Sequence, residues 1–304
     1  MRIAQKKKTK PLIIAVVGPT SSGKSDIAVL LAETFGGEVV SADSRQVYRG
    51  LDIGTGEITK KEMRGVPHHL LDIASPTRRF TASLYQKKAR LAMSQIFSRG
   101  NIPIICGGTG FYIDTFLKGL SLPEVPPNRP LRQALEKKST EELFAMLYAL
   151  DSRRVKTIDR HNPRRLVRAI EIATTLGQVP PVTHVSAMPA PILTIGIAIP
   201  DKKLKKNIHV RLLKRMKLGM ISEARRLHNN GLSWKRFEEL GLEYRFLARY
   251  LQKKMSRQEM LTQLETAIDQ YAKRQKQWFK RDPSIVWVKN AKEAVQAVKK
   301  FIAC

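Results

Sequence analysis

Two cysteines in 304 residues, Cys106 and the terminal Cys304, can build neither a disulfide framework nor a thiolate metal cluster. That scarcity suits a reducing compartment, and the cytoplasm is the expected location. Long apolar runs are missing as well, since none approaches the ~20 residues of a membrane-spanning helix. Lys6, Lys7 and Lys8 precede an apolar run over residues 11–17, which superficially resembles a secretory leader. The run is too short, however, and passes straight into a glycine-rich motif, so it reads as a first strand. Acidic residues are the third shortage: 26 Asp and Glu face 55 Lys and Arg, a formal net charge of +29. A chain so charged repels itself unless it meets a polyanion, and nucleic acid is the leading partner. Internal repeats and low-complexity linkers are absent too.

What is present is a 42% hydrophobic chain, enough for a sizeable core, with a length that suits a core domain carrying a smaller one. Residues 12–17 form a continuous apolar run, as a strand buried on both faces should. Residues 18–25 predict a turn, 26–35 a helix stopped by Gly36 and Gly37, and 38–41 a second short strand. A long helix is expected over 80–99 and a third strand over 102–106. Such alternation argues for a parallel sheet wrapped by helices. A proline-rich cluster over 122–130 then breaks the pattern. Residues 131–176 read as helical, with Ser139 and Glu142 as a capping box. Strand-like sequence returns over 192–199, followed by helices from 201, including 256–279 with Ser256 and Glu259 as a second capping box. A last strand over 285–288 and a helix over 291–301 close the chain. The expected architecture is α/β, a P-loop NTPase-like parallel sheet wrapped by helices, with an all-helical insertion domain. The core spans 1–121 and 190–304, and the insertion spans 122–189.

Gly18-Pro19-Thr20-Ser21-Ser22-Gly23-Lys24-Ser25 fits the phosphate-loop pattern in full, after a strand and before a helix. Backbone N–H groups there surround phosphate oxygens, aided by the helix dipole. Lys24 adds a point charge, and Ser25 a hydroxyl for Mg²⁺. A nucleotide hydrolase would carry an acid at the end of a second apolar strand. Here the strand over 102–106 ends in Gly107-Gly108-Thr109. The available carboxylate is Asp43, at the end of the second strand. In an open α/β sheet Gly18, Asp43 and Thr109 converge at the carboxyl edge. A phosphate cradle, one carboxylate base and one hydroxyl suffice to displace a diphosphate with a weak nucleophile; the lesser alternative for Asp43 is a helix-capping residue.

The chain resembles the tRNA dimethylallyltransferase family, also called tRNA isopentenyltransferase, in its bacterial form. The resemblance is carried by the phosphate loop, Asp43-Ser44-Arg45-Gln46-Val47-Tyr48, Asp52-Ile53-Gly54-Thr55 and Val66-Pro67-His68-His69-Leu70-Leu71-Asp72. It continues through Gly107-Gly108-Thr109-Gly110-Phe111-Tyr112, Asn162-Pro163-Arg164-Arg165-Leu166-Val167-Arg168-Ala169 and Gln270-Tyr271-Ala272-Lys273-Arg274-Gln275. It implies transfer of a dimethylallyl group from dimethylallyl diphosphate to N6 of adenosine 37, beside the tRNA anticodon, leaving N6-isopentenyladenosine and diphosphate. By the same resemblance Asp43 is the base, Thr20 and Thr109 stand at the reaction centre, and Gly18 to Ser25 hold the diphosphate with Mg²⁺ on Ser25. Asp43, Ser44, Arg45, Gln46, Thr109, Arg132, Arg164, Arg165, Leu166, Val167 and Arg168 are the implied tRNA contacts. The implied partners are the anticodon stem-loop and the prenyl donor; no membrane is expected from the apolar runs, and a monomer is the default state.

Basic segments agree with an RNA role. Arg153, Arg154, Lys156, Arg160, Arg164, Arg165 and Arg168 crowd the later part of the insertion. Lys273, Arg274, Lys276, Lys280 and Arg281 stand beside Tyr271, Trp278 and Phe279. Leu264, Ile268, Tyr271 and Phe279 follow helical spacing, so the core claims these aromatics more strongly than base stacking does. His68 and His69 lack partners at ligand spacing and read as structural or orienting, not zinc-binding. Two stretches depart from the family pattern: Glu243 within Gly241-Leu242-Glu243-Tyr244-Arg245, and Asp269 ahead of Gln270. Both are losses of positive charge, with Arg245 the candidate substitute for the first. Competing readings are an ATP-binding small-molecule kinase, an enzyme prenylating free AMP or ADP, and an RNA-binding protein with a dead phosphate loop.

Overall fold

The computed structural model describes residues 11–183, 188 and 190–303, so Lys6, Lys7, Lys8 and Cys304 lie outside the described residues. Six strands form one sheet: β1 (Ile13–Val17), β2 (Gly37–Ser41), β3 (His68–His69), β4 (Ile102–Gly107), β5 (Ile192–Ile197) and β6 (Val286–Val288). Their order is β3-β2-β4-β1-β5-β6, and every pairing is parallel. The first helices are α1 (Lys24–Phe35), α2 (Asp52–Thr55), α3 (Lys60–Met63), α4 (Ala82–Ser98) and α5 (Gly110–Leu117). Then come α6 (Arg129–Leu135), α7 (Thr140–Leu150) and α8 (Pro163–Leu176). After β5 follow α9 (Asp201–Lys217), α10 (Met220–Asn229), α11 (Trp234–Glu239), α12 (Leu242–Leu251), α13 (Arg257–Phe279) and α14 (Ala291–Ala303).

The period of two in a strand decides how the sheet is covered. Every residue of β1 is buried. Ile14 and Val16 pack among Ile27, Leu31, Ala294 and Val298, from α1 and α14. Ile13, Ala15 and Val17 face the other way, among Tyr85, Ala89, Ile113 and Phe116 from α4 and α5. A third cluster gathers the later helices, with Leu204, Ile208 and Leu212 of α9 against Leu264 and Ile268 of α13. Leu264, Ile268 and Phe279 are buried, so the core reading of that helical stripe holds for them, while Tyr271 is half-buried.

The chain divides into two compact units, residues 1–119 with 187–304, and residues 120–186. The smaller unit has its own core of Leu135, Leu143, Leu147, Leu166, Ala169 and Ile170. Both expected capping boxes form, with Ser139 accepting from the Glu142 N–H and Ser256 from the Glu259 N–H. Among the described residues no helix is long and apolar enough to cross a membrane.

One strand was not expected. His68 and His69 pair with Val39 and Val40 as a two-residue edge strand, too short to leave a periodic signal. A buried carboxylate secures it: Glu38 lies 2.6 Å from His69 Nε2 and accepts from Arg99 Nε at 2.8 Å, Arg99 Nη2 at 2.7 Å and Asn101 at 2.8 Å. The Arg99 guanidinium, opposed by burial and helped by Asn101 and His69, holds the Glu38 pKa down at about 2. His68 Nδ1 lies 2.8 Å from the Val66 carbonyl. His69 is therefore committed to the edge of the sheet, and His68 also borders the cavity that holds Lys24 and Asp43.

Candidate active site

The strands β1, β2 and β4 end level with one another, because Val17 pairs with Gly107 and Ser41 with Cys106. Their following loops therefore meet at one edge, where ligands of open α/β sheets bind. The loop after β1 turns sharply before α1. Gly23 has φ 86°, and the space around its Cβ position is open, so glycine is needed there for conformation, not for room. Ser21 also adopts a left-handed φ of 61°. Alternating backbone conformations of this kind turn successive N–H groups inward. Gly23 at the start of α1 makes no side-chain cap, and the Ser22 hydroxyl is buried without a hydrogen-bond partner. An uncapped helix start and an orphaned hydroxyl are what an anion at this loop would satisfy.

One cavity gathers Thr20, Lys24, Ser25, Asp43, Gln46 and Arg211, with Ile58, Leu71 and Cys106 supplying apolar lining. Burial lowers the Lys24 pKa, Cys106 and Asp43 oppose that shift, and Arg211 reinforces it. The Lys24 ammonium donates to the Pro19 carbonyl at 3.3 Å. Burial likewise lowers the Arg211 pKa, while Nη2 donates to Gly56 O at 2.6 Å. Two cations enclosed together are mutually unfavourable, and a polyanion between them relieves both costs. Burial pushes the Cys106 thiol up to about 11, so at neutral pH it stays a small apolar group.

Asp43 accepts the Arg45 N–H at 2.8 Å through Oδ1, a local turn that orients the carboxylate. The next residue, Ser44, donates its N–H to Thr109 Oγ1 at 3.0 Å, and the Thr109 N–H donates to Ala42 O at 3.2 Å. Thr109 is not among the cavity-lining residues; its contacts place the turn that carries Asp43. Gln46 lines the cavity and donates to Gly56 O at 3.4 Å. Arg45 instead donates Nη1 to the Glu239 carbonyl at 3.2 Å, which ties its guanidinium to the end of α11.

In the smaller unit the expected RNA contacts divide. Arg164 and Arg165 are exposed in the first turn of α8, which Asn162 caps. Val167 is half-buried. Leu166 is 0% exposed within the unit's core, so any contact it makes with RNA is through its main chain. Arg132 and Arg168 are engaged by the fully buried Glu171. Arg132 donates to it from Nε at 2.8 Å and Nη2 at 2.6 Å, and Arg168 adds Nη1 to Glu171 and Nη2 to Val125 O. Burial raises the Glu171 pKa, but these guanidinium groups overcome it and hold it at about 2. Both arginines tie the unit together internally.

The residue that sequence reasoning missed is Arg211. Leu204, Ile208 and Leu212 form the buried stripe of α9, and Arg211 stands three residues after Ile208. Three residues after Ile208 and seven after Leu204, position 211 borders the buried face of the helix rather than its solvent face. That spacing is the signal that could have found it.

A family model described as "IPP transferase" matches residues 46–282. The chain is 43% identical to tRNA dimethylallyltransferase 2 of Treponema denticola over 272 residues, covering 88% of this chain and 91% of that one. It is 41% identical to tRNA dimethylallyltransferase 2 of Citrifermentans bemidjiense over 275 residues, 89% of this chain and 87% of that one. Among solved structures, the tRNA isopentenylpyrophosphate transferase of Bacillus halodurans superposes with a TM-score of 0.71 at 32% identity, covering 97% of this chain and 96% of that one. A eukaryotic dimethylallyltransferase acting on tRNA shares the fold, with a TM-score of 0.79 at 22% identity over 97% of this chain and 80% of that one. A sequence match of this reach, on a sheet whose loops converge as described, means that the chain belongs to the IPP transferase family.

Proposed function

We propose that this protein transfers a dimethylallyl group from dimethylallyl diphosphate to N6 of adenosine 37 in the anticodon loop of tRNA. The observation that carries the proposal is the single cavity in which Lys24 and Arg211 stand with one carboxylate, Asp43. Two cations and the loop amides suit a departing diphosphate, whose charge grows as the allylic C–O bond breaks. Asp43 suits the acceptor side. The adenine N6 amine is a weak nucleophile whose proton becomes acidic as the new C–N bond forms, and a carboxylate within reach takes it. Ile58 and Leu71 give the prenyl group an apolar wall. An adenine reaches such a site only out of its stack, which a single-stranded loop permits.

Mg²⁺ fits the donor set, because Ser25 and Asp43 offer hard oxygen atoms in the same cavity. When bound, the ion would neutralise diphosphate charge beside Lys24. Arg164 and Arg165 are the exposed candidates for tRNA phosphate contacts in the smaller unit. The protein's place of work in this reading is the cytoplasm, as a monomer.

The test is a transfer assay with radiolabelled dimethylallyl diphosphate, Mg²⁺ and an anticodon stem-loop carrying three consecutive adenosines. Parallel reactions replace the RNA by AMP, or by a stem-loop with guanosine at the target position. Label in the first RNA alone is the expected result. Label in AMP moves the reading to a free-nucleotide prenyltransferase, and no label in any reaction overturns prenyl transfer.

A further inference from the structure

Gln275 lies on α13, far from the phosphate loop in sequence and against it in space. Its side chain is 6% exposed. The Thr20 N–H donates to Gln275 Oε1 at 2.8 Å, and Gln275 Nε2 donates to Gly108 O at 2.9 Å. The amide orientation is unambiguous, because a backbone N–H only donates and a carbonyl only accepts. The approach is close enough that a Cβ on Gly108 would stand 2.3 Å from Nε2, so any side chain here would displace the Gln275 amide. One amide thus joins the loop after β1 to the loop after β4.

The bridge continues to the base. Thr109, next to Gly108, accepts from the Ser44 N–H, and Ser44 follows Asp43. On α13 the Trp278 Nε1–H, one turn after Gln275, donates to Asp114 Oδ2 at 2.8 Å, and Lys276, the next residue, donates to Asp201 at 2.6 Å. The helix is therefore anchored independently of Gln275, so losing this amide leaves α13 in place and frees the two loops.

We infer that Gln275 is a positioning residue that sets the separation between the diphosphate loop and the loop carrying Asp43. It touches neither reacting group; it holds the backbone of the diphosphate loop directly and reaches the Asp43 loop through Gly108, Thr109 and Ser44. The inference rests on the prenyl-transfer reading above. Reacting atoms misplaced by ~1 Å cost about 10²-fold in rate, so a bridge of this kind is felt in kcat more than in RNA binding.

Two variants separate positioning from simple support of the fold. Gln275→Met keeps the volume and loses both hydrogen bonds. Gln275→Glu keeps the acceptor for Thr20 but turns a bare carboxylate oxygen toward Gly108 O, until protonation restores a donor there. A buried carboxyl facing a carbonyl titrates above its ordinary ~4.3. Transfer of radiolabelled dimethylallyl groups to the adenosine stem-loop is measured at pH 6 and pH 8.5, with thermal unfolding of each protein. Gln275→Met is expected to lose about 10–100-fold in kcat at both pH values, with the KM for RNA unchanged and thermal stability within a few degrees of wild type. Gln275→Glu is expected to match that loss at pH 8.5 and to recover at least ~10-fold, relative to wild type, at pH 6. A Gln275→Met enzyme with wild-type kcat, or a Gln275→Glu deficit that is flat with pH, overturns the role. A wild type that transfers nothing overturns prenyl transfer itself and this role with it, so the two failures are distinct.

Discussion

The Arg215 guanidinium lies 3.1 Å from the Glu243 carboxylate, and its Nε donates to Ile53 O at 2.7 Å. A further hydrogen bond runs from Nη2 to Gly54 O. Glu243 is the acid that stands out against the family pattern, and this pairing gives it a structural task. It neutralises an arginine that holds the Ile53–Gly54 turn from one side. Glu223 holds the same turn from the other, accepting the N–H groups of Asp52, Ile53 and Gly54 at 2.7–3.0 Å. Asp269 is similarly paired, 2.9 Å from Lys273. Neither acid lines the cavity. Arg245, the candidate substitute, donates to the Glu238 carbonyl at 3.2 Å and pairs with the Glu238 carboxylate at 3.3 Å.

Glu243→Ala should therefore destabilise the fold by ~1–3 kcal/mol, because it leaves the buried Arg215 without its carboxylate. Urea unfolding of the two proteins measures this. Unchanged stability would mean that Arg215 is satisfied by the two carbonyls alone.

Asp43→Asn removes a general base while keeping the local turn, since the amide oxygen still accepts the Arg45 N–H. The expected loss in kcat is ~10²–10⁴-fold, with the KM for the donor little altered. Steady-state transfer kinetics decide, and a loss below tenfold would assign proton removal to another group.

Arg211→Met and Lys24→Met each take one cation from the cavity. Each should lower kcat/KM for the donor by about 10²–10³-fold, the scale of removing one group that stabilises a departing anion. Combined, the losses should be less than additive, because each single change relieves repulsion on the cation that remains. Donor-titrated kinetics of the three variants check both points.

Arg164→Gln with Arg165→Gln should weaken stem-loop binding and reduce its salt dependence. Removing one arginine–phosphate pair lowers the slope of log affinity against log salt by about 0.7–0.9. Binding isotherms at several salt concentrations read this directly, and an unchanged slope would remove these two arginines from the RNA interface.

Stability should fall as pH rises through the neutral range. Burial, together with the Asp72 and Asp52 carboxylates, raises the Glu57 pKa from 4.5 to about 8. Between those values the native protein holds a proton that the unfolded chain has lost, so ∂ΔG/∂pH for this group is negative. Its contribution is complete below pH 4.5 and lost as pH rises through about 8. Glu57→Gln should flatten this part of the profile, raising thermal stability at pH 9 more than at pH 6. Melting curves at the two pH values make the comparison.

The sequence alone determined the sheet strands that are long enough to carry a pattern, the phosphate loop and the two capping boxes. All of these are local: apolar runs, a spaced set of glycines with lysine and serine, and a hydroxyl three residues before a glutamate. Asp43 was legible for the same reason, as the acid at the end of a strand. What only the tertiary structure decided depends on distant pairings. His68 and His69 became a strand because Val39, Val40 and Glu38 lie beside them. Arg132 and Arg168 have the composition of an RNA surface, yet a buried Glu171 39 and three residues away draws both inward. Arg211 joined Lys24, and Gln275 joined Thr20 to Gly108, across more than 150 residues of chain. A charge or an amide in a sequence carries its chemistry with it, but the partner that uses that chemistry is chosen by packing.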